Sequence, residues 1–406
     1  MPSAPPDGLP APADGSLPAS ALAEFAGASR PFGFYVHVPY CASRCGYCDF
    51  NTYTATELGG SASQQSYADD AIAEIRLARR VLGDVDRPVS TVFFGGGTPT
   101  LLPAADLARI LGAIRDEFGL AVGAEVTTEA NPESVDPAYL DTLRAGGFNR
   151  LSFGMQSARK HVLQILDRRH TPGRPEQCVA DARAAGFEHV NLDLIYGTPG
   201  ESDDDWRASL DAVLGARPDH VSAYALIVED GTRLAGRVRR GELPMPDDDV
   251  LADRYLMADE AFGAAGLGWY EVSNWATDAA ARCRHNELYW TGADWWGAGP
   301  GAHSHVGGVR WWNVRHPAGY AQRLAASASP AQAREVLSAE DRRVERILLE
   351  LRLADGMPVE LLTEVGRKAA ERAVGDGLLE ALGGGRAVLT LRGRLLADAV
   401  VRDLVD

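Results

Sequence analysis

Apolar positions along the chain alternate between two periods. Short apolar runs of strand length, FGFYVHVP from Phe32, VSTVFF from Val89, AEVTTEA from Ala124, RLSFGM from Arg150, HVNLDLIY from His189 and HVSAYALI from His220, are separated by longer stretches whose apolar side chains recur at helical spacing. The helical stretches cover 65–82, 103–118, 136–145 and 248–264; further helices follow RLSFGM and HVNLDLIY, and YEVSNW from Tyr270 reads as a last strand. Strand and helix in strict alternation predict an α/β fold with parallel strands joined by right-handed crossovers. Six or seven units without a clear eighth make a partial (β/α) barrel. A doubly wound sheet shares this element order. Polar or glycine-rich residues end successive strands, at Cys41 to Cys48, Gly95 to Thr98, Glu129, Gln156, Asp193 and Tyr224. Their convergence on one rim favours the barrel, which builds its site there.

The flanks have a different texture. Residues 1–30, rich in Pro, Ala and Ser, read as a flexible leader with at most a short helix at ALAEFA. Residues 31–275 hold the barrel, and 276–335 form a connecting region dense in Trp, Gly and His. Residues 336–406 read as a smaller mixed or winged-helix-like domain, with Ser338 as a helix N-cap and RAVLTLRGRLLA as a small β wing feeding a last helix.

Composition narrows the setting. The 406 residues, 46% hydrophobic and 24% charged, can bury a large core. A formal net charge of -16 makes nonspecific nucleic-acid binding unfavourable. No stretch is long and apolar enough for a membrane span, no signal segment opens the chain, and five cysteines without a disulfide pattern suit a reducing cytoplasm.

Three of those cysteines, Cys41, Cys45 and Cys48, stand together as C-x3-C-x2-C in HVPYCASRCGYCDFNTY. Soft thiolates favour zinc or an iron-sulfur cluster. A closed zinc site needs a fourth ligand, for which His37 is the candidate; a [4Fe-4S] cluster on three thiolates leaves one iron open. At other strand ends, Gly95, Gly96, Gly97 and Thr98 allow close backbone approach to a ligand. Glu129 and Asp193 offer carboxylates, Gln156 an amide and Arg168 a guanidinium. Tyr35 and Tyr47 flank the cysteine loop, where they can shield a cluster or simply pack. Cys178 reads as a small buried residue and His303 as structural, and neither Cys283 nor His305 belongs to a C-x-x-C-H heme-attachment motif.

Taken together, YVHVPYC, GGGTPT, RLSFGMQS, LDRRH, NLDLIYGTPGES, YEVSNWA and HNELYW resemble the oxygen-independent coproporphyrinogen III oxidase family of the radical S-adenosylmethionine superfamily, over nearly all the chain after residue 31. The resemblance implies a (β/α)6-type radical-SAM partial barrel with a C-terminal domain like that of the family. It implies a [4Fe-4S] cluster on Cys41, Cys45 and Cys48. Around S-adenosylmethionine it places Tyr35, Tyr47, Gly96, Gly97, Thr98, Glu129, Gln156, Arg168 and Asp193.

Oxidases of the family resemble C-x3-C-x2-C-x-C, whereas Phe50 stands here in place of the fourth thiol and the leader is short. The likeness is therefore greatest to the heme chaperone branch. It implies heme binding and delivery to acceptor heme proteins such as respiratory enzymes, some of them membrane-associated, and it allows an electron donor and a homodimer as partners. His285 in HNELYW is the candidate heme ligand, and no catalytic residue is assigned. The alternatives are radical decarboxylation of coproporphyrinogen III, a radical RNA-modifying enzyme, disfavoured by the acidic charge, and a structural zinc protein.

Overall fold

The computed structural model describes residues 8–59 and 62–405. Its frame is one mixed sheet of 13 strands among the described residues. In chain order these are β1 (Leu9–Pro10), β2 (Phe32–Val38), β3 (Val89–Gly96), β4 (Leu120–Ala130), β5 (Arg150–Gln156), β6 (His189–Tyr196), β7 (His220–Ala225), β8 (Gly268–Glu271), β9 (Asn274–Ala276), β10 (Asp294–Ala298), β11 (His303–Val306), β12 (Val309–Asn313) and β13 (Ala331–Val336). Between them lie α1 (Ala19–Gly27), α2 (Ala62–Leu82), α3 (Ala104–Phe118), α4 (Pro137–Gly146), α5 (Lys160–Ile165), α6 (Arg174–Ala184), α7 (Asp203–Ala216), α8 (Arg233–Arg239), α9 (Asp248–Ala264), α10 (Arg284–Trp290) and α11 (Pro317–Ala325).

Six neighbouring strands, β2 to β7, pair in parallel and in chain order, which is the partial barrel. They read as apolar runs because both faces are covered. β5 is buried along its whole length, and Phe34, Val92, Phe94, Leu151, Phe153 and Leu192 are inaccessible to solvent.

The sheet runs on past both ends of the parallel block. YEVSNW is two strands rather than one. β8 and β9 form a hairpin whose second arm pairs antiparallel with β7, and the Ser273 carbonyl takes the Ala223 N–H at 2.8 Å. At the other end, 276–335 is no mere connection. β10 pairs in parallel with β2, Asp294 opposite Phe32 through Ala298 opposite Val36, and β11, β12 and β13 extend the sheet antiparallel. Its tryptophans are the reason: Trp296 and Trp311 meet edge to face at 4.9 Å inside the core. The buried Glu74 of α2 locks this extension down, accepting from Gly299 N–H, the Asn313 amide and the Tyr320 hydroxyl at 2.8, 2.8 and 2.5 Å.

The expected flexible leader is a packed strap from residue 8 onward; residues 1–7 lie outside the described residues. β1 pairs with β13 at the sheet edge, and α1 buries Ala21 and Phe25. Arg87 lies over the Phe25 ring at 4.2 Å. It donates to the Phe25 and Arg30 carbonyls at 2.8 and 2.7 Å and pairs with buried Asp294 at 2.9 Å, joining strap, β2 entrance and β10. Proline and alanine hid this, since the strap draws its order from partners far along the chain.

After β13 come α12 (Ala339–Glu350), α13 (Glu364–Gly375), α14 (Leu391–Leu395) and α15 (Ala397–Val405), with a two-stranded pairing of Met357–Pro358 with Arg386–Ala387. A separate core of Ile347, Leu351, Met357, Leu362, Ala370 and Leu404 holds them together. Ser338 and Asp341 cap α12 reciprocally. Arg394 attaches the unit to the barrel, stacked 3.7 Å from the Trp269 ring and 3.2 Å from Asp259. Among the described residues no helix is long and apolar enough to cross a membrane.

Candidate functional site

The cysteine loop leaves the C-terminal end of β2 and is pinned on every side. Tyr40–Cys41 pairs with Tyr53–Thr54, and Tyr53 N–H binds the Pro39 carbonyl at 2.7 Å. Gly97 and Thr98 donate to the Val38 and Tyr40 carbonyls at 2.8 and 2.7 Å. At mid-loop, Gly46 N–H reaches the Leu166 carbonyl at 2.9 Å and the Gly46 carbonyl receives Leu234 N–H at 2.8 Å. The loop is thus clamped between the end of α5 and the start of α8, with Tyr47 packed against the Val162, Leu166, Leu226 and Leu234 cluster. Such fixing holds the three cysteines, all free thiols, on one loop.

Those thiols feel one another. Burial pushes Cys41 up to about 11, with Cys48 adding to it, and burial likewise raises Cys48. Arg168 Nη1 approaches Cys45 Sγ at 3.7 Å. Among the described residues no group of three His, Cys, Asp or Glu side chains is drawn in around a single point. His37 is unavailable as a zinc ligand. Its Nε2 lies 2.9 Å from the Asn51 carbonyl, which only accepts, so the proton is there; Nδ1 then accepts from the Tyr35 hydroxyl at 2.9 Å. Burial holds the ring neutral, pulling it down to about 4.

The glycine turn is glycine for packing as much as for a ligand. Gly96 has φ 108°, and a Cβ there would stand 2.5 Å from His37 Cε1; at Gly97 it would stand 2.5 Å from the Tyr40 carbonyl oxygen. The N–H groups of Gly96, Gly97 and Thr98 serve Glu129, Val38 and Tyr40, so these three donors are committed inside the protein.

Glu129, Gln156, Arg168 and Asp193 do come together. Burial, then the charge of Asp193, drives the Glu129 carboxyl up to about 8, against the Gly96 N–H at 3.0 Å and Arg168. Asp193 is raised by burial although Asn191 and Ser152 donate to it at 2.6 and 3.1 Å. Arg168 and Gln156 both lie over Gly154, where an added Cβ would meet their side-chain nitrogens at 2.6 and 2.9 Å. Gln156 adopts φ 67°, its Oε1 is buried without a partner, and so is Arg168 Nε. Buried carboxyls with raised pKa and orphaned amide and guanidinium atoms mark a cradle suited to a polar ligand. These groups suit a zwitterionic nucleoside with carboxylate, amino and hydroxyl functions, beside thiols suited to iron.

Sequence reasoning missed the support of Asp193. Asn191 donates to it, Asn191 Oδ1 meets His220 Nδ1 at 2.7 Å, His220 Nε2 meets the Tyr270 hydroxyl at 2.7 Å, and that oxygen receives Cys283 N–H at 3.1 Å. The signal was present in the two-residue period of HVNLDLIY and HVSAYALI, which sets Asn191 with Asp193 and His220 with Ser222 on one face.

His285 lies within α10. It is 1% exposed in α10, with Nδ1 2.8 Å from Thr91 Oγ1, Nε2 2.8 Å from the Tyr289 hydroxyl and its ring stacked on Phe93 at 5.2 Å. Burial lowers it to about 3. Both nitrogens are hydrogen-bonded to hydroxyls in this structure. Cys178 is buried with its thiol 3.5 Å from the Pro132 carbonyl, and Cys283 is buried against Glu125.

A model of the Radical SAM superfamily matches residues 35–213. A protein of Mycobacterium tuberculosis named Heme chaperone HemW is 55% identical over 377 residues, which are 93% of this chain and 95% of that one. The Escherichia coli K12 protein of the same name is 32% identical over 361 residues, 86% of this chain and 92% of its own. Among solved structures, coproporphyrinogen III oxidase (HemN) from Escherichia coli superposes with a TM-score of 0.81, covering 95% of this chain and 92% of that one. At 24% identity that likeness shows the fold alone.

Proposed function

The chain belongs to the HemW family of the radical S-adenosylmethionine superfamily, and from that premise we propose that it binds heme and delivers it to acceptor heme proteins. The observation that carries this reading is the 55% identity to a heme chaperone across nearly the full length of both chains. Phe50, 57% exposed where the oxidase pattern has a fourth thiol, supports it over decarboxylation.

In this reading Cys41, Cys45 and Cys48 hold a [4Fe-4S] cluster and S-adenosylmethionine occupies the cradle. Cluster and sulfonium together supply one-electron chemistry when bound. The chain's own groups bind and orient: Arg168 faces a carboxylate, Glu129 and Asp193 accept from amino or hydroxyl groups, and Gln156 both donates and accepts. Tyr47, packed in the apolar cluster beside the loop, fixes the loop between Cys45 and Cys48.

The test loads anaerobically reconstituted protein with heme, presents an apo-heme acceptor, and assays coproporphyrinogen III conversion in parallel. Heme transfer without protoporphyrinogen formation is expected, and Cys45→Ser should lose the cluster's visible absorption while retaining heme. Conversion of coproporphyrinogen without any heme transfer would overturn the assignment in favour of the oxidase.

A further inference from the structure

On β6, Asn191 stands two residues before Asp193, so both side chains leave the same face of the strand. Asn191 pairs in register with Ser152 of β5 on one side and with His220 of β7 on the other, and Tyr270 of β8 lies beyond His220. Ser152, Asn191, His220 and Tyr270 are all buried, so each polar atom among them needs a partner of the right sense.

Their hydrogen bonds admit one consistent direction. Asn191 Nδ2 lies 2.6 Å from Asp193 Oδ1, and a carboxylate only accepts, so the amide nitrogen faces Asp193 and the amide oxygen faces His220. That oxygen only accepts as well, which puts the imidazole proton on Nδ1, 2.7 Å away. Nε2 is left as an acceptor and takes the Tyr270 hydroxyl proton at 2.7 Å, while the Tyr270 oxygen receives the Cys283 N–H at 3.1 Å. Every donor in the series therefore points towards Asp193, and each bond polarises the next. A charged ring would donate from both nitrogens and turn the Tyr270 hydroxyl around. Burial, then the Arg150 guanidinium, keeps the ring neutral far below the usual histidine range.

The series also separates the two carboxyls of the cradle. Asp193 receives the Asn191 amide and the Ser152 hydroxyl, at 2.6 and 3.1 Å, whereas Glu129 receives the Gly96 N–H at 3.0 Å. Two buried carboxyls in each other's field do not both ionise readily. The richer set of donors settles the charge on Asp193 and leaves the proton to Glu129. An Asn191 amide turned the other way would set its oxygen against the Asp193 carboxylate, and the Nδ1–H of His220 opposes that turn. We propose, resting on the reading that S-adenosylmethionine occupies the cradle, that His220 and Tyr270 are positioning residues, which fix the Asn191 amide so that Asp193 meets the ligand as an oriented, purely accepting carboxylate.

One readout needs no ligand. In the full chain carrying isotope-labelled histidine, nitrogen NMR should show the His220 ring neutral and protonated on Nδ1, its signals identified by their loss in His220→Gln or their shift in Tyr270→Phe. A ring protonated on Nε2 would overturn the proposal. The other readout is S-adenosylmethionine affinity in anaerobically reconstituted variants of equal cluster content. His220→Phe should weaken binding about tenfold, the size of a lost hydrogen bond acting on a charged group. His220→Gln, whose amide can donate to Asn191 and accept from Tyr270, should stay within about threefold of the unaltered protein. Tyr270→Phe, lacking one hydroxyl, takes the place of His220→Phe if that variant does not fold, and should weaken binding by more than His220→Gln does. Unchanged affinity in a folded His220→Phe or Tyr270→Phe, or no advantage of Gln over Phe at 220, would overturn the proposal and leave the cofactor reading intact. Failure of the unaltered protein to bind S-adenosylmethionine would instead sink that reading, and this one with it.

Discussion

Glu74 is enclosed by α2, β12 and α11, and burial raises its carboxyl from 4.5 to about 7 against three donated hydrogen bonds. A raised folded-state pKa means the native protein holds the extra proton between those two values. Glu74's contribution to stability is whole below about pH 4.5 and falls as pH rises through 7, by roughly 3 kcal/mol in all. Urea unfolding between pH 5 and 8 should show that decline, and Glu74→Gln should flatten it; an unchanged slope would place the titration elsewhere. Glu129, at about 8, is mostly protonated at neutral pH. Seating a cationic amino group beside it should expel that proton, so calorimetric heats of S-adenosylmethionine binding should differ between buffers of different ionisation enthalpy; equal heats would exclude the contact. The three thiols and the strand-end side chains were legible because their chemistry is written in local spacing. The roles of His285 and His220 were not, since both depend on partners such as Thr91 and Tyr270 that only folding brings within reach.

Among elements, the strap shows how far local composition misleads. Nothing in ALAEFA distinguishes a fraying helix from one whose Phe25 is 2% exposed between Arg87 and a Phe32 ring 5.0 Å away. Phe25→Ala should cost about 3–5 kcal/mol, as for other buried aromatics, measured by denaturant midpoint; a cost below 1 kcal/mol would mean the strap is only laid on the surface. The six parallel strands were readable because burial on both faces leaves continuous apolar runs. The hairpin of β8 and β9 was not, because six residues reversing at Val272 and Ser273 carry the same apolar pattern as one strand.

For the whole molecule, a hydrogen-bonded chain runs from Asp193 through Asn191 and His220 to Tyr270. The C-terminal unit has a core of its own and leans on the barrel through Arg394. Arg394→Ala should speed proteolytic cleavage near residue 337 several-fold without lowering the barrel's unfolding midpoint; equal cleavage rates would show that other contacts hold the unit. The pairing of Leu9 with Arg334 also sets a schedule. A strand made among the first residues finds its partner only after more than three hundred others, which at cellular rates of synthesis is on the order of 20 to 60 s. For that interval a nascent chain carries Phe25 and an unmatched strand outside any finished core, so the time when this protein most needs a folding chaperone of its own is late in its own translation.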